Sequence, residues 1–216
     1  MVSVGSVVSW MTANSDLLVS QAIQHLNIAM TALLFGVLLW VPAGALVRRN
    51  DRAAELLLGW AGTMLTIPSL ALLSLLIPLV GIGVPAAVVA LVLYAALPIT
   101  RNTYVGLTNV DEAMVEAGRG LGMTDRQLLL KVRVPLALSV IMAGIRQAAV
   151  LLVAITTVAA FFGAGGLGDS IFSGIRLDNP NQIIGAAMVI STIAIALDSG
   201  LYGVQRLLPG NQVGSS

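Results

Sequence analysis

Leu56–Thr100 reads LLLGWAGTMLTIPSLALLSLLIPLVGIGVPAAVVALVLYAALPIT, 45 residues without one charged side chain. As a single helix it would run about 68 Å, roughly twice the ~30 Å hydrocarbon core of a bilayer. It must therefore turn back on itself. Gly81-Ile82-Gly83-Val84-Pro85 supplies the breakers, and a proline suits the first turn of a new helix. The reading is two antiparallel membrane spans, near 57–80 and 84–103.

Working outward, Leu26–Val47 is uncharged over 22 residues, about 33 Å as helix and one bilayer deep. A further span begins at Pro135 and runs to about Phe162, interrupted only by Arg146. The last runs from about Gln182 to Leu201, with Asp198 near its end. The composition agrees. Of 216 residues 57% are apolar and only 10% charged, against about a quarter charged in soluble domains. So little polar surface cannot cover a water-soluble domain of this size. The expected fold is an all-α integral membrane bundle of five transmembrane helices. A net charge of +1 leaves no electrostatic footprint for nucleic acid. Zero cysteines exclude a disulfide framework, thiolate metal sites and a cysteine nucleophile, and one histidine excludes a His-rich metal site within one subunit.

The cations set the orientation. Arg48, Arg49 and Arg52 follow span one; Arg101, Arg119, Arg126, Lys131 and Arg133 lie between spans three and four; Arg206 follows span five. Those nine share one side, against Arg176 alone on the other. The N-terminus is then outside and the C-terminus cytoplasmic. With no cation before Arg48, the start does not read as a signal peptide. Residues 1–20, broken at Asn14-Ser15-Asp16, are expected on the outer surface as an amphipathic or irregular segment. The polar residues 209–216 are expected to be disordered.

Residues 104–135 hold the one substantial polar segment. Asn109 is placed to cap a short helix with an acidic first turn, Asp111 and Glu112. Val110, Ala113, Met114 and Ala117 follow at i, i+3, i+4 and i+7, an apolar stripe. Gly118, Gly120 and Gly122 break that helix, and Thr124 with Gln127 forms a capping box that starts a second one. Leu128, Leu129 and Val132 lead from there to Pro135. An amphipathic hairpin in the cytoplasm has no lipid to bury in. It either docks on a protein partner or packs against the chain's own helix ends, and both readings are open at this point.

Glu116-Ala117-Gly118, then Gly122 after three residues and Val132-Arg133-Val134-Pro135 after nine more, resembles the EAA motif of ABC importer permeases. The departures are Gly118 for the second alanine, Val132 for isoleucine and Val134 for leucine. The resemblance extends over residues 20–208. Thr66–Leu72, Gly81–Gly83, Leu97–Tyr104 and Gly163–Gly168 are similar to the osmoprotectant branch, whose members import glycine betaine, choline, carnitine or related solutes.

The resemblance implies a type I ABC importer permease in the bacterial cytoplasmic membrane, with a permease domain over 21–208. Its loop would couple to a dimer of separate ATPase subunits through Asp111, Met114, Glu116, Ala117, Gly118, Gly122, Met123 and Pro135. A second permease copy or a paralogue, and an extracytoplasmic substrate-binding protein docking near 163–181, complete the implied assembly. ATP and magnesium would be held by the ATPase, and no cofactor by this chain. The same fold with amino-acid or methionine cargo is one alternative. An ATP-independent channel or secondary transporter is another, but it leaves the hairpin without a purpose.

Other motifs weigh less. Gly163-x-Gly165-x-x-Gly168 has the form of a dinucleotide fingerprint but follows a membrane span with no strand before it, so it reads as a glycine turn at a helix end. The one lysine, Lys131, is in no Walker A sequence. His25, beside Gln24 and Asn27, reads as an interfacial polar residue. The aromatic residues are too few and scattered to form a cation cage here. Arg146 and Asp198 stand out, because an isolated charge at a span centre costs ~2.5–3.5 kcal/mol on insertion scales. Counted from Pro135 and from Arg206, they fall at similar depth on antiparallel spans. Either they pair, or Arg146 snorkels while Asp198 sits at the interface. Pro68 is expected to kink span two.

Overall fold

The computed structural model describes residues 3–208 and is helical throughout those residues: α1 (Val4–Ala13), α2 (Ser15–Val47), α3 (Asp51–Thr66), α4 (Ser69–Val80), α5 (Val84–Thr108), α6 (Glu112–Gly120), α7 (Asp125–Leu128), α8 (Val134–Ala159), α9 (Leu167–Arg176) and α10 (Pro180–Leu207). A π-helical turn, Leu129–Arg133, joins α7 to α8. The tail expected to be disordered lies outside the described residues.

Four stretches are long and apolar enough to cross a membrane: Ser15–Val47, Val84–Thr108, Asp125–Phe162 and Pro180–Leu207. The fifth crossing is not one helix. Asp51–Thr66 and Ser69–Val80 meet at 102°, so the expected continuous span over 57–80 with a kink is corrected to a sharply broken pair. Proline cannot donate to the helix and disfavours helical geometry in the residue before it. Ile67 is accordingly extended at φ −67°, ψ 128°. The freed Ile67 carbonyl is taken up by the Tyr94 hydroxyl, which donates to it at 2.7 Å. A break at membrane depth needs such a partner, because no water is available there.

The break expected at Asn14-Ser15-Asp16 is present, with α1 ending at Ala13 and α2 beginning at Ser15. Asp16 sits in the first turn of α2, where the positive end of the helix dipole favours it. The 33-residue α2 is about 50 Å long at 1.5 Å per residue, more than one bilayer core. The ten-residue α1 lies against α10: Val7 is buried, and the Ser6 hydroxyl donates to Asn181 Oδ1 at 3.0 Å.

At the centre is α5, packed chiefly between α2 and α8. Its Ala86, Ala87, Ala90, Ala95 and Ala96 are fully buried, and Ala148 and Ala149 of α8 join the same cluster. Small side chains let helix backbones approach closely, the usual way membrane helices gain packing energy without a hydrophobic drive. Gly144 of α8 shows how close: a Cβ there would stand 2.6 Å from the Pro98 carbonyl oxygen of α5. Outside this core, Leu34, Leu38, Leu75 and Leu79 are exposed, the surface a bilayer would cover.

Candidate functional site: the 111–133 hairpin and the charged link above it

The hairpin is built by local rules. Asp111, not Asn109, caps α6, its carboxylate accepting from the Ala113 N–H at 2.9 Å; Asn109 instead closes the C-terminus of α5. The difference arises because α5 runs on to Thr108, so the turn before α6 begins two residues later than the sequence suggests. At the other end, the Met123 N–H donates to the Gly118 carbonyl at 3.1 Å and the Gly122 N–H to the Arg119 carbonyl at 2.9 Å. Gly122 takes φ +77°. This is a Schellman motif, with glycine at the left-handed position where a Cβ is costly. Thr124 and Gln127 then form a full capping box.

Within the hairpin, Val115 and Gly118 of α6 are buried. A Cβ on Gly118 would come within 2.6 Å of the buried Leu128 side chain, so the smallest residue lets α6 lie against α7. The stripe residues Ala113, Met114 and Ala117 face the opposite way and are exposed, Met114 to 50%, and so is Glu116. The chain's own helix ends therefore do not cover that stripe. Beside it runs a groove of about 370 Å3 bounded by Val105, Val110, Asp111, Met114, Leu136 and Val140. Asp111, Met114, Glu116, Ala117 and Gly122 thus lie on the exposed side, while Gly118 and Met123 pack inward and Pro135 opens α8.

Arg146 and Asp198 meet. Arg146 Nε donates to Asp198 Oδ1 at 3.0 Å and Nη2 to Oδ2 at 2.9 Å, a bidentate fork between α8 and α10. Arg146 Nη1 donates to Gln205 Oε1 at 2.8 Å, and Gln205 Nε2 donates to the Ser139 carbonyl at 2.7 Å. The guanidinium also lies 4.6 Å from the Tyr202 ring centre. The sequence marked the two charges by their isolation; Gln205 and Tyr202, ordinary in sequence, fill out the link.

The end of the bundle remote from the hairpin holds the Gly163–Gly168 turn. Gln24 of α2 grips it twice: its Oε1 accepts from the Gly166 N–H at 3.0 Å and its Nε2 donates to the Ala164 carbonyl at 3.3 Å. Ser170 donates to Gln21 Oε1 at 2.6 Å. His25, read as an interfacial polar residue, is fully buried among the helices, its Nε2 2.9 Å from the Val153 carbonyl. A carbonyl only accepts, so Nε2 carries the proton. The partner lies 128 residues away, and a local reading of the sequence could not supply it. Among the described residues no group of His, Asp or Glu is arranged to hold a metal ion.

The chain belongs to the family of binding-protein-dependent transport system inner membrane components, whose model matches residues 32–209. It is 42% identical over 205 residues to the carnitine transport permease protein OpuCB of Listeria monocytogenes, covering 94% of each chain. It is 41% identical to the choline transport system permease protein OpuBB of Bacillus subtilis, covering 94% of this chain and 93% of that one. The osmoprotectant import permease protein OsmW of Salmonella typhimurium is 41% identical, with 93% and 96% covered. Among solved structures, the inward-facing MetNI methionine ABC transporter superposes with a TM-score of 0.79 at 23% identity, over 88% of this chain and 95% of that one. An amino acid ABC transporter determined with histidines gives 0.76 at 20% identity, over 92% and 97%. The fold is that of the membrane subunit of an ABC importer. In that family ATP hydrolysis belongs to a separate subunit, and this chain is the membrane component.

Proposed function

We propose that this chain is the permease subunit of an ATP-driven importer for quaternary-amine osmoprotectants such as carnitine, choline or glycine betaine. The observation that carries the cargo is the identity of 41–42% across nearly the whole chain with permeases named for those solutes. The methionine and amino-acid transporters share the fold at 20–23% identity, which carries no argument for cargo. The nine-to-one cation split supports an N-out, C-in orientation with the hairpin in the cytoplasm.

In this reading the exposed stripe of α6, with Asp111, Met114, Glu116 and Ala117, docks on an ATPase subunit that holds ATP and magnesium. Pro135 starts the span that receives the movement. Two ATPase copies, a second permease (identical or paralogous) and an external solute-binding protein complete the machine. The second helix of the hairpin, α7, the π turn and α8 form one continuous rod from Asp125 to Phe162. The Arg146–Asp198–Gln205 link ties that rod to α10, so a push on the hairpin moves two crossings as one body. The test is uptake of radiolabelled carnitine, choline, glycine betaine and methionine in a strain lacking its own carriers, with the neighbouring transporter genes co-expressed. ATP-dependent uptake of at least one quaternary amine, and none of methionine, is expected. Uptake of methionine alone would overturn the cargo, and uptake without any ATPase would overturn the class.

A further inference from the structure

Behind the hairpin lies a second, smaller cavity of about 140 Å3, between α6, α7 and the end of α2. Arg48, Arg49, Arg119 and Arg133 line it together with the single carboxylate of Asp125; Val115 and Leu128, both buried, are its apolar members. The carboxylate is already taken, since Asp125 Oδ2 stands 2.8 Å from Arg49 Nη2. Arg48 Nη1 donates to the Ala45 carbonyl and Arg133 Nη1 to the Leu107 carbonyl, each at 2.8 Å. Those are carbonyls at the C-terminal ends of α2 and α5, whose dipoles offer about half a negative charge each, so the cup keeps an excess of about two positive charges. Both side chains retain N–H groups beyond these bonds, because a guanidinium carries five.

We propose that this cup is a binding site for a phosphate-class oxyanion. Three observations converge on that chemistry. The donors are all guanidiniums, whose planar forks match the oxygens of a phosphate and are the groups proteins use for it. The size fits one tetrahedral group and little else, because 140 Å3 is the room of about four or five waters at ~30 Å3 each. The third observation is that four guanidiniums share the cavity with a single carboxylate: burial first, then the charges of Arg49 and Arg133, pull Arg48 below the ordinary arginine pKa, with Asp125 opposing. The group stays protonated, and a bound dianion or monoanion would offset both its desolvation and the repulsion from its neighbours. Arg48 directly follows the α2 span, at headgroup depth. The oxyanion is therefore either the phosphodiester of an anionic lipid or free phosphate from the cytosol.

Occupancy would fix the hairpin to the span end, since Arg119 belongs to α6 and Arg48 and Arg49 follow α2. The test uses the purified full-length chain in a zwitterionic detergent, with Arg49→Gln and Arg119→Gln, whose parent side chains are exposed and form no helix-capping bond. Thermal midpoints are titrated with inorganic phosphate and with dihexanoyl-phosphatidylglycerol, against sodium chloride at matched ionic strength. At least one of the two ligands should raise the midpoint saturably, and each variant should need about tenfold more of it while its ligand-free midpoint stays near wild type. Competition names the source: a lipid site saturates with the phosphatidylglycerol and ignores inorganic phosphate, whereas a free-anion site responds to inorganic phosphate. No saturable response, or variants that titrate like the wild type, would overturn the proposal. That null is also what a cup built to receive an acidic side chain of an ATPase subunit would give.

Discussion

Two glycine turns flank α8, one at each end, and they are built on opposite principles. At Gly163–Gly168 the backbone is wedged into the bundle: a Cβ on Gly166 would stand 3.1 Å from the His25 backbone, and one on Gly168 would overlap the Thr157 carbonyl and approach the Ala160 Cβ. Gln24 and Gln21 add hydrogen bonds across the helices. At Gly122 the conformation is as demanding, φ +77°, yet a Cβ would meet nothing within 4 Å. The first turn needs glycine for space as well as for backbone angle, since Gly163, Gly165 and Gly166 also take positive φ; the second needs it for its angle alone. A turn held by packing is part of the rigid body; a turn held by its own hydrogen bonds, with open space around it, is free to present itself to something else.

Mutations sharpen that contrast. The largest effect is expected from Gly168→Val, which forces two extra methyl groups and a Cβ against backbone; overpacking of this kind costs about 3 kcal/mol or more. Thermal melting of the solubilised chain should show a large fall in midpoint or no recoverable protein, and an unchanged midpoint would break the picture of a wedged turn. Gln24→Ala should cost about 1–2 kcal/mol, since the N–H of the buried Gly166 loses its acceptor. Asp198→Ala, on α10 against the rod between the turns, should cost about 1–2 kcal/mol by stranding Arg146. The figure is kept low because the Asp198 side chain is 39% exposed. Adding Arg146→Ala should then restore part of the loss, and strictly additive losses would show that the fork contributes nothing.

Gly122→Asp is expected to lower stability by only about 1 kcal/mol, the cost of a left-handed non-glycine residue with no clash. Membrane abundance should stay normal while solute uptake falls, and wild-type uptake at normal abundance would remove the hairpin from the coupling path. Glu116→Lys is the mildest for the fold. As an exposed substitution it should shift stability by less than about 0.5 kcal/mol, with its effect confined to uptake.

How far the sequence could be read follows the same division. What rests on neighbouring residues was legible: the uncharged spans, the capping box at Thr124, the turn at Gly122. The isolation of Arg146 and Asp198 was legible too, because charge inside a span has few places to go. What rests on distant partners was not. Pro68 announced a disturbance, but the 102° break needs the Tyr94 hydroxyl on another helix to receive the freed carbonyl. His25 looked interfacial because its neighbours Gln24 and Asn27 are polar; the wall that buries it comes from α8 and the glycine turn. The four arginines of the cup come from three separate segments, and each taken alone reads as an ordinary positive-inside residue.

The π turn at Leu129–Arg133 makes the hairpin's compass bearing a matter of counting. Each residue of an α-helix advances the chain by about 100° around its axis, and a π turn absorbs one residue more than an α turn would over the same rise. The extra residue is taken up within the bulge, so the residues on either side stay on nearly the bearing an unbroken α-helix would give them. Deleting that one residue would turn its i+5 bonds into i+4 bonds and leave Met114 and Glu116 facing almost as they do. Deleting a residue from α8 itself, where nothing absorbs the change, would swing the tip by about 100° and aim both away.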